Sequence, residues 1–211
     1  MIKIKNTTLL LLLLLPTFVL ANNGFETLQK DWAVANYKLT GDAQKQAFDA
    51  LIAKADAFLS ADPQSAEVLI WRGIIKSSFA GVKGGLGALS LIKESKKDLE
   101  MALKINDKAL SGSAYTSLGT LYFKAPSWPI SFGDDKKART LLKQALDIKP
   151  SGIDSNFFYA EFLKDQGEMV NAKKYLEKAK RASQRSNRPI ADQSRYEDIT
   201  KALLEVKDAL N

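Results

Sequence analysis

The stretches "KKARTLLKQALDIKP" (136–150) and "VNAKKYLEKAKRAS" (170–183) decide the fold. Laid one over the other, Ala138 meets Ala172, Leu142 meets Leu176 and Ala145 meets Ala179, each pair 34 residues apart. Within each stretch the steps of four and three put a small, a large and a small residue on one face of a helix. A helix that recurs at a fixed period is one half of a unit too small to bury its own apolar face. Such units stack, each covering the next.

Upstream of the first copy, "SAYTSLGTLY" carries Tyr115, Leu118, Gly119 and Tyr122, the pattern of a first helix with a glycine where its partner must come close. Pro150 closes that unit, and Ala160 and Leu163 take the first-helix places in the next. An earlier, weaker copy has Ser95, Leu99 and Ala102 on its second helix and Gly73 as its tight-packing glycine. Both upstream hairpins are longer than the bare period requires, so each is expected to carry an insertion. Residues 25–60 read as another helix pair, with Trp32, Phe48, Leu51, Ala55 and Phe58 inward. In the tail, Ile199, Leu203, Val206 and Leu210 form a single stripe, which suits a helix capping the last unit.

Turn signals separate these runs. Gly41 and Asp42, Asp62 and Pro63, and Gly133 and Asp134 each read as a helix stop or an N-cap. No segment shows sustained two-residue alternation, so no sheet is expected. The reading is an all-α solenoid of nine helices, four hairpins and a C-terminal capping helix, forming one domain over residues 22–211.

Residues 1–21 read as a secretory leader. Lys3 and Lys5 precede an unbroken apolar run from Leu9 to Leu15, and Val19 and Ala21 supply the small residues of a cleavage site. The apolar core falls short of the roughly 20 residues needed to cross a bilayer. Cleavage after Ala21 and a periplasmic or secreted chain are therefore expected, with an uncleaved N-terminal anchor as the alternative. Loss of Lys3 and Lys5 lowers the formal charge from +7 to +5. No cysteine stands near the cleavage point to carry a lipid.

The sequence contains no histidine and no cysteine. That removes Ser-His-Asp and Cys-His catalysis and any imidazole or thiolate metal site. The paired carboxylates Asp134 and Asp135 read as a helix start rather than as an acid–base pair. "AGVKGGLGALS" (80–90) is rich in glycine, but lacks the G-x-x-x-x-G-K-[ST] spacing of a phosphate loop. It reads as a hairpin turn. No enzyme activity, metal or cofactor is expected.

Over most of residues 22–211 the chain resembles the tetratricopeptide repeat (TPR) superfamily. Within it, "FAGVKGGLGALSLIKESKKDLEMAL", "GSAYTSLGTLYFKAPSWPISFGDDKKA" and "GIDSNFFYAEFL" are similar to a bacterial periplasmic group related to the T-components of tripartite (TRAP) transporters. That group shares a "PGWP…FGD" element, matched here by Pro126, Trp128, Pro129, Phe132, Gly133 and Asp134, with Ser127 in place of the glycine. The resemblance implies a concave face lined by the first helix of each hairpin. That face would receive a protein or peptide or, as in the T-component relatives, an apolar small molecule. The groove positions it implies are Glu67, Ile70, Ile74 and Ser77, then Ser113, Thr116, Thr120 and Phe123, then Asp154, Phe157, Glu161 and Lys164. Thr116 and Phe157 stand where members that clamp a terminal carboxylate carry lysine, which argues against that type of partner.

Two further features could serve binding. The connector "APSWPISFGD" holds Trp128 and Phe132, and aromatic side chains bury about 150–250 Å² each, so cover is expected for both. They can pack on their own hairpin, with Trp128 as anchor, or fold over the groove. Near the end, Lys173, Lys174, Lys178, Lys180, Arg181, Arg185, Arg188 and Arg195 face only Glu177 and Asp192. The inward register of that helix is Ala172, Leu176, Ala179 and Ser183, so these cations are expected outside. They form either a solvated face or, led by Lys173, Lys174, Lys178 and Arg181, a surface for an acidic protein or anionic headgroups. Nucleic acid is not an expected partner of an exported chain, and stacking into a homo-oligomer stays open.

Overall fold

The structure is a computed structural model that describes residues 17–211, with side chains from residue 24 onward. The expected leader lies outside the described residues except for residues 17–21, the first of α1. The elements are α1 (Thr17–Tyr37), α2 (Gly41–Ala61), α3 (Ala66–Lys83), α4 (Gly85–Ile105), a 3-10 turn (Ala109–Ser111), α5 (Ser113–Lys124), α6 (Asp135–Ile148), α7 (Ile153–Asp165), α8 (Met169–Arg181) and α9 (Pro189–Leu210). Among the described residues there is no strand, only one isolated bridge between Ser127 and Gly133. None of these helices is long and apolar enough to cross a membrane.

Consecutive helices pair as four hairpins, α1/α2, α3/α4, α5/α6 and α7/α8, and α9 covers α8 and α7. This is a TPR-like solenoid with a capping helix. The 34-residue register is its packing register: Ala138, Leu142, Ala145, Ala172, Leu176 and Ala179 are all fully buried. In α3 and α5 the first helix meets its partner at a glycine, where α7 carries Ala160. A Cβ on Gly73 would lie 2.8 Å from Leu99 Cγ, and one on Gly119 would lie 2.7 Å from Leu142 Cγ. Ser95 adds a buried hydrogen bond, donating to the Gly73 carbonyl at 2.6 Å. On the capping helix Ile199 and Val206 are fully buried and Leu203 is half-buried, while Leu210, the last residue of the helix, is exposed.

The two expected insertions take different forms. Between Gly73 and Ala102 the extra residues are helix: α3 has 18 residues and α4 has 21, joined at Gly84 and Gly85. Both glycines have positive φ, 68° and 57°, where a side chain would strain the turn. The long pair is clamped by ions. Asp98, 5% exposed, accepts from Arg72 at 2.6 and 2.9 Å and from Lys76 at 3.0 Å. Between α5 and α6 the extra residues form a loop instead.

That loop corrects the expected role of Trp128. The side chain is 85% exposed and Ile130 is 62% exposed. Anchoring falls to Phe132 and to the backbone. Phe132 meets Tyr122 edge-on at 5.4 Å, and the Lys96 ammonium lies 5.6 Å from its ring centre. The Gly133 N–H donates to Pro126 O at 3.0 Å and the Asp134 N–H to Tyr122 O at 2.9 Å. Asp134 then caps α6 by accepting from the Lys137 N–H at 3.0 Å. With these bonds made, covering the indole is not needed to hold the loop.

Two cap positions also differ from expectation. Thr40, not Asp42, is the N-cap of α2. The N-cap of α3 is Ser65, whose hydroxyl accepts from the Val68 N–H. Asp62 instead closes α2 and turns the chain by accepting from the Gln64 N–H at 3.2 Å.

Candidate functional site

The stack curves until its ends meet. Besides α2 and α3, α1 packs against α9. Trp32 fixes α1 against α3. It lies edge-on to Trp71 at 5.4 Å and to Tyr37 at 5.7 Å, and its indole N–H donates to Ser78 Oγ at 3.0 Å. Tyr37 in turn feels the charges of Arg195 and Asp198 on α9, and burial pushes its phenol above the ordinary value. The concave face therefore becomes a chamber of about 1460 Å³, walled by α1, α3, α5, α7 and α9 with the start of α4 and the α6–α7 and α8–α9 connections.

Only part of the expected groove lines this chamber. Ile74, Thr116 and Thr120 do, as do Ser113 and Asp154. Ile70, Phe123 and Phe157 do not; they are buried in the core between hairpins. Ile70 lies a turn earlier on α3 than Ile74 and is wholly covered. Phe123 packs on Phe162 at 5.6 Å, and Phe157 on Phe158 at 5.2 Å. Glu161 and Lys164 pair with one another at 2.8 Å, and Lys164 reaches Glu205 on α9 at 2.7 Å, so they tie the capping helix down. Trp128 and Phe132 lie away from the chamber, whereas Pro126 is on its wall. The apolar part of the wall includes Trp32, Trp71, Ile74, Leu89, Ile92 and Phe158.

The basic cluster divides in two. Lys173, Lys174, Lys178, Lys180 and Arg181 are exposed on α8, as expected, although Arg181, the last residue of the helix, also borders the chamber. Arg185, Arg188 and Arg195 are not on an outer face but on the chamber wall. The register of α8 does not govern them, because α8 stops at Arg181; the first two sit in the connection to α9 and the third on α9 itself. Arg185 forks between the fully buried Asp192 and Asp154, the latter at 2.8 Å. Arg195 reaches Asp154 at 3.2 Å and Asp198 at 3.0 Å, and lies over the rings of Phe157 and Phe158 at 4.4 and 4.6 Å. Burial alone would raise the carboxyl of Asp154, but Arg195, Arg185 and Arg188 outweigh it and lower the group to about 2. The sequence signal for this cluster was the run of arginines itself. What it lacked was the fold that brings Asp154 across from α7.

Arg188 differs from the other two. Its guanidinium carbon lies 5.0 Å from the centre of the Trp71 ring, and among the described residues its side chain makes no hydrogen bond or ion pair. Burial and the neighbouring Arg185 hold its pKa below the ordinary value. Among the described residues no group of acidic side chains could hold a metal ion.

No family model matches the chain, and no curated protein matches it. Among solved structures it is similar to two crystal structures of MamA. One has 19% identity and a TM-score of 0.47, covering 79% of this chain and 90% of that one; the other has 18% and 0.47, covering 88% and 92%. A thermophilic TPR protein of Thermus thermophilus aligns at 17% identity and a TM-score of 0.41, covering 83% of this chain and 99% of that one. The TPR-like assignment rests on this chain's own register and hairpin packing.

Proposed function

We propose that this protein is an exported, non-enzymatic binding protein that takes a small guest with an apolar body into the chamber of its concave face. The observation that carries this reading is the contact of α1 with α9. It replaces the open groove of an extended repeat stack with a walled space. A folded partner does not fit such a space, while a long-chain small molecule does. Ligand sites commonly enclose about 300–1,000 Å³, so this chamber has room to spare. The resemblance to the TRAP T-components favours the same class of guest, and the leader read in residues 1–21 would deliver the protein to the periplasm.

A second reading, a scaffold for a protein or peptide, is favoured by the outer face of α8. There Lys173, Lys174, Lys178 and Arg181 stand exposed without an ion pair among the described residues. Apart from Arg181, which also borders the chamber, the two readings concern different faces and are compatible.

The test is a fluorescent probe that is neutral and apolar, N-phenyl-1-naphthylamine. The protein should bind it with enhanced emission. Thr120→Trp, which fills the chamber from α5, should abolish the enhancement without changing helix content. Equal binding by that variant would place the apolar site elsewhere and overturn the reading.

A further inference from the structure

Six cationic side chains line the chamber, Lys124, Lys149, Arg181, Arg185, Arg188 and Arg195, against the carboxylates of Asp154 and Asp198. Asp192, behind Arg185, supplies a third negative charge. The wall is thus positive after every internal pair is counted. The excess is not spread evenly. Arg185 and Arg195 are consumed by their aspartates, whereas the Arg188 guanidinium is held against Trp71 with no acceptor among the described residues.

An arginine stacked on an indole is fixed in orientation, and its N–H edge is left to bond in the guanidinium plane. The nearby Asp154 and Asp192 act on Arg188 only through space, being bonded to Arg185 and Arg195, so its partly enclosed N–H groups are left for an anion to satisfy. Next to it the wall is apolar, formed by Trp32, Trp71, Ile74 and Ile92. One part of the chamber therefore asks for an oxyanion and the adjoining part for a hydrocarbon.

We infer that the guest is a single-headed amphipathic anion whose carboxylate or phosphate is gripped by Arg188 on Trp71 while its apolar chain runs along the Trp32–Ile74–Ile92 wall. This rests on the proposed function above and adds the head group and the residue that selects it. Bidentate pairing of a guanidinium with an oxyanion is among the strong hydrogen-bonded contacts, so selection by the head group should be large.

Four compounds of one chain length separate the terms: dodecanoate, dodecyl phosphate, dodecanol and dodecyltrimethylammonium. Each is titrated into the purified protein below its micelle concentration, and tryptophan emission is followed. Trp32 and Trp71 report from the wall, and the exposed Trp128 gives a constant background. At least one of the two anions should bind about tenfold or more tighter than dodecanol, a preference of about 1.4 kcal/mol, with dodecyltrimethylammonium weakest. Whichever anion binds tighter identifies the head group.

Arg188→Gln should bring the anions down to the affinity of dodecanol and leave dodecanol unchanged. Arg188→Lys should restore part of the preference. Lys207→Gln, an equal loss of charge at an exposed site on α9 away from the chamber, should change nothing. Dodecanol binding as tightly as both anions in the unaltered protein would overturn this inference and leave the proposed function standing. Failure of all four to bind would overturn the proposed function itself. The comparison in unaltered protein decides the matter even if Arg188→Gln does not fold.

Discussion

Gly119 lies against Leu142 with no room for a methyl group: a Cβ there would stand 2.7 Å from Leu142 Cγ. Gly73 and Leu99 repeat the relationship one hairpin earlier. Alanine at 119 would gain up to about 1 kcal/mol of helix propensity. Against that, forcing a fully buried leucine aside costs about 1–3 kcal/mol. Gly119→Ala should therefore lower the unfolding free energy by about 1 kcal/mol in a urea titration. In a Leu142→Ala background, where the side-chain clash is gone and only the 3.2 Å approach to the backbone N of residue 142 remains, the same change should cost less than in the original protein.

The α5–α6 loop gives a paired prediction. Trp128→Ala should leave the melting temperature within error of the original, since the indole is exposed. Phe132→Ala, which removes the contact with Tyr122, should cost about 1–2 kcal/mol, below the cost of a fully buried phenylalanine. A larger loss at Trp128 than at Phe132 would mean the indole is covered.

These two residues also mark what the sequence could and could not disclose. Ala138, Leu142, Ala172 and Leu176 were legible because a period of 34 repeats a packing solution, and the solution is local to each hairpin. Trp128 was misread because composition says that an indole gains from burial, not whether the loop's own hydrogen bonds leave it anything to pack on. Ile70, Phe123 and Phe157 were misplaced for another reason. The apolar pattern of a first helix marks both its concave side and the side packed between hairpins, and these three residues fall on the second. Arg188 was visible as a charge but not as a wall residue, because its position is set by a connection that carries no periodicity.

Asp154 should make stability fall on acidification. Its carboxyl lies at about 2 in the folded chain, below the ordinary 3.8. A depressed carboxyl contributes stability that is fully present above the unfolded value and is lost as pH falls through the folded one. Between about pH 5 and about pH 2 the protein should lose about 2 kcal/mol on this account. Asp154→Asn should be less stable near neutrality by a similar amount, and its curve should converge with the original at about pH 2. Parallel curves would show that the three arginines do not act on this carboxylate.

The exposed cations of α8 should act through charge alone. Reversing Lys173, Lys174, Lys178 and Arg181 to glutamate should weaken association with anionic vesicles or an acidic protein and flatten its dependence on salt, with circular dichroism unchanged. Equal, salt-dependent binding by the variant would reduce this face to a solubilising surface.

Native mass spectrometry of the protein, expressed with residues 1–21, tests the central claim, a partly enclosed concave chamber that holds one small amphipathic guest. The polypeptide should begin at or near Asn22. After incubation with excess dodecanoate or dodecyl phosphate it should carry one molecule of the compound, retained at gentle activation, and Thr120→Trp should carry none. A protein that stays at its bare mass with both compounds, or takes up many copies of each without limit, would contradict the account.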